Sequence, residues 1–138
     1  MSKLLQVAQI GHPILRQNAK PAVNILDKSV RELSDSLIST VNDVNGVGIS
    51  APQVYESKRI FILASHPNVR YPHAPKMKPT AIINPKIISH DKIIIKDWES
   101  CLSVLGIRGL IPRFKSIQVE YFDRKGKLTN KSFSDFVA

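Results

Sequence analysis

The stretch Glu99-Ser100-Cys101-Leu102-Ser103 decides how this chain is interpreted, because Cys101 is the only cysteine among 138 residues. A carboxylate and small polar residues flank the thiol, instead of an apolar packing pattern. The second unusual stretch, Gly46-Val47-Gly48-Ile49-Ser50-Ala51-Pro52-Gln53, is a glycine-rich turn that ends in a side-chain amide. We expect the two stretches to face each other across a cleft. Together they suggest a metallohydrolase.

The composition is that of an ordinary globular domain, with 43% hydrophobic and 22% charged residues. This length can bury one core, so we expect a single domain over residues 1–138. No run approaches the roughly 18 apolar residues of a membrane span, and no signal or transit peptide is seen. We therefore expect a cytoplasmic protein without membrane contact, an organellar matrix being the alternative.

The chain is basic, with a formal net charge of +9 at pH 7. This charge favours weak attraction to anionic partners, among them the ribosome surface. Lys and Arg are spread from Lys3 to Lys131, without the tight cluster or interleaved aromatic residues of a dedicated nucleic-acid reader. The charge pattern therefore predicts a solvated basic surface and no specific DNA binding.

A helix is predicted from Asp27 to Val44, with Asp27 or Ser29 as its N-cap and Glu32 completing a capping box with Ser29. Its expected buried face consists of Val30, Leu33, Leu37, Val41 and Val44. Asn45-Gly46 should end the helix, with the glycine at positive φ. A shorter helix is expected to begin at Pro13 and to stop before Pro21.

The remaining apolar runs predict strands that are joined by turns and not by helices. They are residues 59–63, 80–88, 92–98, 116–122 and 127–133, with Pro85 marking a bulge or an edge. Residues 66–79 contain four prolines and should form a loop. The connections favour an α+β fold of antiparallel sheets packed around a central helix, with a parallel α/β sheet as the alternative. Residues 134–138 begin as a helix does, so we expect a C-terminally truncated domain.

Cys101 could bind a transition metal as a thiolate, but one thiolate is not enough, and two or three further ligands must converge on the ion. The four histidines, His12, His66, His73 and His90, form no His-x-x-x-His pair.

The glycine turn lacks the rest of a nucleotide-binding fingerprint. It could instead pair with an extended peptide, and Gln53 could donate to a carbonyl oxygen that becomes anionic. The alternative interpretation of residues 51–53 is a plain turn.

Both stretches resemble signatures of the peptide deformylases: residues 46–53 the first signature and residues 99–103 the second. Other similarities are Gly11-His12-Pro13-Ile14-Leu15-Arg16, Trp98, Arg108-Gly109, Pro112-Arg113 and the turn from Asp123 to Lys127. The resemblance spans residues 10–133. It implies a deformylase fold and removal of the formyl group from N-terminal formylmethionine of nascent polypeptides. It also implies a divalent metal, natively iron and often replaced by nickel or zinc.

The resemblance further implies roles for individual residues. Cys101 would be a metal ligand, and Gln53 with the backbone N–H of Leu102 would stabilise the oxyanion. Substrate contacts are implied for four residues: Gly48 would bind the substrate backbone, while Val47, Ile49 and Glu99 would shape the cleft.

Three departures from the family pattern are visible. Ser50 stands where the family usually has alanine, and Ser100 where it usually has glycine. The third signature, His-Glu-x-x-His on a helix, does not occur in these 138 residues. We therefore expect a fold without the C-terminal metal-binding helix, metal that is poorly held, an inactive chain and self-association through an exposed groove. The alternatives are a non-catalytic deformylase-like peptide-binding protein or remnant, and a basic protein that associates with RNA or the ribosome.

Overall fold

A computed structural model describes residues 2–138 as one α-helix, seven β-strands and short 3₁₀ turns. The helix is α1 (Lys28–Asp43), and the strands are β1 (Gly48–Ser50), β2 (Ile60–Leu63), β3 (Thr80–His90), β4 (Ile94–Cys101), β5 (Val104–Phe114), β6 (Ser116–Phe122) and β7 (Leu128–Ser134). Five strands form an antiparallel sheet in the order β1-β2-β3-β6-β7, and β4 pairs with β5 in a separate hairpin. The predicted α+β fold with antiparallel sheets and one helix is confirmed.

Helix α1 begins after Asp27, whose carboxylate accepts a hydrogen bond from the Ser29 N–H at 2.8 Å. The predicted capping box between Ser29 and Glu32 does not form, because Asp27 is the N-cap and Ser29 lies within the helix. The Glu32 carboxylate lies 3.7 Å from the ammonium of Lys28. The apolar face packs against β1 and β2, and Leu37 is fully buried. The prediction was wrong for Val44, which follows the helix as its C-cap and is exposed.

The turn after α1 also differs from the prediction. Asn45, and not Gly46, has the positive φ of 53°. Gly46 serves a close approach instead, since a Cβ atom there would lie 3.1 Å from Val41 Cγ2 and 3.3 Å from Leu102 Cδ1. The small residue thus brings the first stretch against the second.

Strands β3 and β4 do not pair with each other, although the sequence placed a simple turn between them. β3 pairs with β2 and β6 instead, and β4 pairs with β5, a strand that the sequence did not reveal. Gly106, Gly109 and Pro112 obscure the alternating pattern in β5. The bulge predicted at Pro85 is present, because the register shifts between Ile83 and Lys86.

The two faces of β3 contribute to two apolar clusters. Ile83 is buried with α1, β1 and β2, whereas Ile82 is buried with Val119, Tyr121 and Phe133. The β4–β5 hairpin is much more exposed, with Trp98 at 53% of its surface accessible. The larger cluster therefore lies between α1 and the large sheet and the smaller one on the other face of β3, while the hairpin projects the second stretch toward the larger cluster.

The other predicted segments have simple outcomes. Residues 66–79 contain no helix or strand, as expected from their prolines. Pro13–Arg16 and Asp135–Val137 each form a 3₁₀ turn. No helix among residues 2–138 has the length and apolar character needed to cross a membrane.

Candidate active site

Cys101 lies at the tip of the β4–β5 hairpin. The ladder of paired residues closes at Cys101 and Val104, so Leu102 and Ser103 form a two-residue connection. The thiol is exposed and free, whereas Ser103 is buried. The hairpin geometry thus presents the thiol and the Leu102 backbone on the side that faces the first stretch.

Gln53 joins the two stretches. It lies in the 3₁₀ turn Ala51–Val54 that follows β1. Its Oε1 accepts a hydrogen bond from the Ser50 N–H at 2.9 Å, which fixes the orientation of the amide. Its Nε2 donates to Ser103 Oγ at 3.0 Å and to Cys101 Sγ at 3.6 Å. The predicted meeting of Gln53 and Cys101 is therefore present in the structure.

Gln53 and Cys101 both line two open spaces. The first, called here the signature cleft, has a volume of about 90 Å³. It is lined by Gly46, Val47, Gly48, Gln53, Arg70, Tyr71, Ser100, Cys101 and Leu102. A larger groove of about 510 Å³ is lined by Gln53 and Cys101 together with the segment that includes His12 and Arg16. Both spaces reach the same amide and thiol.

Two of the expected cleft residues line neither open space. The side chain of Ile49 is buried in the core beside α1. The carboxylate of Glu99 accepts two hydrogen bonds from Arg113, at 2.9 and 2.8 Å. This contact raises the pKa of Arg113 above its usual value, because it stabilises the charged guanidinium. Val47 and Gly48 line the signature cleft, and a Cβ at Gly48 would lie 3.2 Å from the Ile62 carbonyl oxygen.

Sequence reasoning missed three residues that contact the site. Ser103 is the main partner of the Gln53 amide, and its position within the second stretch could have suggested this. Tyr71, from the proline-rich loop, contacts the backbone of Ser100. Gln9, from the N-terminal segment, donates to the Leu102 carbonyl at 3.1 Å. No local sequence signal indicates the last two, because 29 and 93 residues separate them from their partners.

The donor set around Cys101 does not by itself fit a divalent metal. No group of three or more His, Cys, Asp or Glu residues converges anywhere in residues 2–138. His12 lines the larger groove, but its Nδ1 accepts a hydrogen bond from the Ile14 N–H at 3.1 Å. A thiolate with one amide and one hydroxyl nearby supplies one strong ligand where a metal site needs three or four.

Comparison with known proteins identifies the family to which the two stretches and the fold belong. The family model for polypeptide deformylase matches residues 4–138. The chain belongs to the polypeptide deformylase family. It is 56% identical over 136 residues to peptide deformylase 2 of a Nostoc species, covering 99% of this chain and 76% of that protein. It is 37% identical over 137 residues to peptide deformylase 2 of Shewanella oneidensis, covering 99% and 75%.

Solved deformylase structures share the fold. The Met-Ala-Ser-bound class I type b peptide deformylase of Acinetobacter baumannii superposes with a TM-score of 0.95 at 40% identity, covering 100% of this chain and 88% of that one. The peptide deformylase of Thermotoga maritima gives a TM-score of 0.86 at 30% identity, covering 99% and 85%. The family is one of metal-dependent hydrolases that act on formylated nascent peptides, which agrees with the resemblance of the two signatures.

Proposed function

We propose that the two signatures of this chain form the substrate-binding half of a peptide deformylase active site, which hydrolyses the N-formyl group of N-terminal formylmethionine. The observation that carries the proposal is the contact of Gln53 Nε2 with Cys101 and Ser103, which joins the first signature to the second. A cleft lined by both signatures lies next to this contact.

In this proposal Gln53 and Leu102 stabilise the charge that develops on the formyl oxygen. Gln53 is a neutral donor whose orientation is fixed by the Ser50 N–H. The Leu102 N–H lies in the tight connection between β4 and β5, next to Cys101. Donors that are held in place before the reaction favour the anionic transition state over the neutral substrate.

The peptide part of the substrate would lie along the glycine turn. Val47 and Gly48 line the signature cleft and are the proposed contacts for the methionine and for the substrate backbone. Pairing of an extended peptide with exposed backbone groups gives affinity without demanding a particular sequence, which suits an enzyme that acts on many nascent chains. Ile49 and Glu99 would support the cleft residues from behind, since Ile49 is buried in the core and Glu99 forms an ion pair with Arg113.

Cys101 is the proposed thiolate ligand of a divalent metal, with Fe²⁺ as the native ion and Ni²⁺ or Zn²⁺ as substitutes. Because residues 2–138 contain no converging group of three or more His, Cys, Asp or Glu residues, we propose that these 138 residues alone hold metal weakly and release no formate. Completion would require His-Glu-x-x-His, which places two imidazoles one turn apart on a helix and a glutamate between them.

The experiment uses an extended chain, defined as residues 1–138 joined to the C-terminal segment of a relative that carries His-Glu-x-x-His. Formate release from formyl-Met-Ala-Ser is measured for this chain, for Gln53→Ala and for Gln118→Ala. Loss of one oxyanion donor should lower kcat about 100-fold or more in Gln53→Ala. Gln118 is the matched control, because its amide contacts Ser89 and Asn130 on the large sheet. Equal activity of the three proteins would remove Gln53 from the proposed site.

A second function is favoured by the incomplete ligand set of these 138 residues. In it, the signature cleft binds peptides without hydrolysing them. The 138-residue chain would then bind formyl-Met-Ala-Ser, as measured by calorimetry, and the extended chain would release no formate even with metal present.

The cellular setting follows from the proposed reaction. The substrates are nascent polypeptides, so we propose a cytoplasmic protein that works near the ribosome. The net charge of +9 would favour weak contact with the ribosome surface. We also propose that the exposed apolar residues of the β4–β5 hairpin promote self-association of the 138-residue chain.

A further inference from the structure

The Cys101–Leu102 peptide group lies between two peptide groups that are held by side chains from distant parts of the chain. On one side, the Ser100 N–H donates to Tyr71 Oη at 2.7 Å, and the Tyr71 hydroxyl lies 3.2 Å from both the carbonyl oxygen and Oγ of Ser100. On the other side, Gln9 Nε2 donates to the Leu102 carbonyl at 3.1 Å. The peptide groups before and after the Cys101–Leu102 peptide are therefore both held by side-chain hydrogen bonds.

Peptide planarity turns these contacts into a constraint on one N–H group. The Ser100 carbonyl belongs to the peptide plane that precedes Cys101, and the Leu102 carbonyl belongs to the plane that follows Leu102. When both planes are fixed, only the backbone torsions of Cys101 and Leu102 remain to orient the peptide between them. That peptide carries the Leu102 N–H.

The strand ladder supplies only part of this constraint, through the pairing of Cys101 with Val104 across the turn. Ser100 pairs with Arg108 and Cys101 with Val104, so the register shifts between the two neighbouring residues. In an antiparallel pair the N–H and C=O of one residue point the same way, and at Ser100 both point to Tyr71, away from β5. Tyr71 thus takes the place of a neighbouring strand at the irregular end of β4.

Tyr71 and Gln9 are themselves anchored. The Tyr71 N–H donates to Asn68 Oδ1 at 2.7 Å, and Asn68 Nδ2 donates to the Asn45 carbonyl beside the first signature. The Tyr71 ring packs on Phe136 with centroids 5.0 Å apart. The proline-rich loop therefore holds the hydroxyl in position.

The backbone on either side of Gln9 links both signatures. The Ala8 N–H donates to the Gln53 carbonyl at 2.6 Å, and the Ile10 N–H donates to the Ser103 carbonyl at 2.8 Å. The side chain of Gln9 thus starts from a backbone segment that is tied to both sides of the site.

We propose that Tyr71 and Gln9 are positioning residues that orient the Leu102 N–H for the reacting carbonyl oxygen. The inference rests on the proposed function, because that function gives the Leu102 N–H its role. Gln9 lines neither open space and Tyr71 lines the signature cleft, but the proposed role of each acts through the Leu102 backbone.

The first test measures kcat and KM for formyl-Met-Ala-Ser in the extended chain. Tyr71→Phe and Gln9→Leu should each lower kcat about five- to tenfold with KM unchanged within about twofold, since a misaligned donor costs more in the transition state than in binding. The matched controls are Tyr55→Phe, at a ring that packs edge-on against His12, and Gln6→Leu, at an exposed residue. Both controls should keep kcat.

The second test reads the backbone directly, by amide NMR of the same proteins. Tyr71→Phe should speed hydrogen exchange about tenfold at the Ser100 N–H, which donates to the Tyr71 hydroxyl. Either variant should shift the Leu102 amide resonance, because the peptide group that carries this N–H reorients, while the controls leave both readouts unchanged. An active parent protein whose kcat is unaffected by the two variants would overturn the positioning role. So would an unchanged Leu102 amide resonance, whether or not the parent is active. An inactive parent with a shifted Leu102 resonance would instead count against the proposed function.

Discussion

At the scale of single residues, the two serines that depart from the family pattern, Ser50 and Ser100, are accommodated by contacts that the structure provides. Ser100 is not among the described residues with positive φ, so its side chain imposes no backbone strain where the family usually has glycine. Its N–H and C=O are both engaged by Tyr71. Ser50 adds a hydroxyl contact to Gln53 Oε1 at 3.2 Å, which supports the amide that it also holds through its backbone.

Restoring the family residue at position 100 should therefore not improve this protein. We expect Ser100→Gly to lower the free energy of unfolding by about 0.5–1 kcal/mol, because glycine gains backbone freedom in the unfolded chain and loses the hydroxyl contact. Urea unfolding of the extended chain measures this difference, with Ser100→Ala separating the contribution of the hydroxyl. A gain in stability for the glycine variant would show that Ser100 is strained.

At the scale of elements, the sequence predicts what is local and misses what is assembled from afar. Helix α1 follows from its periodic apolar residues and the capping carboxylate of Asp27. Strand β5 was missed, since two glycines and a proline break its pattern while pairing with β4 sustains it. The meeting of Gln53 and Cys101 was predicted from the two unusual stretches themselves, but the contact from Tyr71 was not, because the loop that carries it has no repeating pattern.

The cap of α1 gives a prediction with a defined pH window. The hydrogen bond from the Ser29 N–H, followed by the one from its side chain, holds the pKa of Asp27 below its usual value of 3.8. A depressed folded-state pKa means that the stabilising effect is complete above the unfolded-state value and is lost as pH falls through the folded-state value. We expect the urea midpoint of the protein with Asp27 to exceed that of Asp27→Ala near neutral pH. The difference between the two midpoints should shrink below about pH 4.

Asp27→Asn is the control for this effect. The neutral amide oxygen can cap the helix at any pH, so its advantage over alanine should not depend on pH. A gap between the parent and Asp27→Ala that stays constant down to pH 2 would contradict the role of the ionised carboxylate.

At the scale of the whole molecule, apolar surface is distributed unevenly. The two buried clusters lie on the large sheet and α1, and they meet on opposite faces of β3. We propose on this basis that residues 1–138 unfold as one domain. The β4–β5 hairpin contrasts with them, since Ile94, Ile107 and Leu110 are 56%, 62% and 49% exposed. Burying exposed apolar surface on association contributes a favourable free energy of roughly 25 cal/mol for each Å² that becomes buried.

The 138-residue chain by itself should therefore self-associate as its concentration rises, as measured by light scattering. Ile107→Lys, on the hairpin, should reduce the apparent mass, whereas Val23→Lys should not. Val23 is a suitable control because it is 99% exposed and lies outside the hairpin. A monomer with a sharp thermal transition at all concentrations would show that the hairpin surface does not drive association.

The central claim is that this chain carries a deformylase cleft with one of the metal ligands. It is tested most directly by formate release from formyl-Met-Ala-Ser with metal content measured alongside, for the 138-residue chain, the extended chain and the extended chain with Cys101→Ala. We expect metal and turnover in the extended chain, neither in the 138-residue chain, and a loss of both on removing the thiol. Stoichiometric metal and turnover in the 138-residue chain, or full activity in the Cys101→Ala variant, would contradict the account.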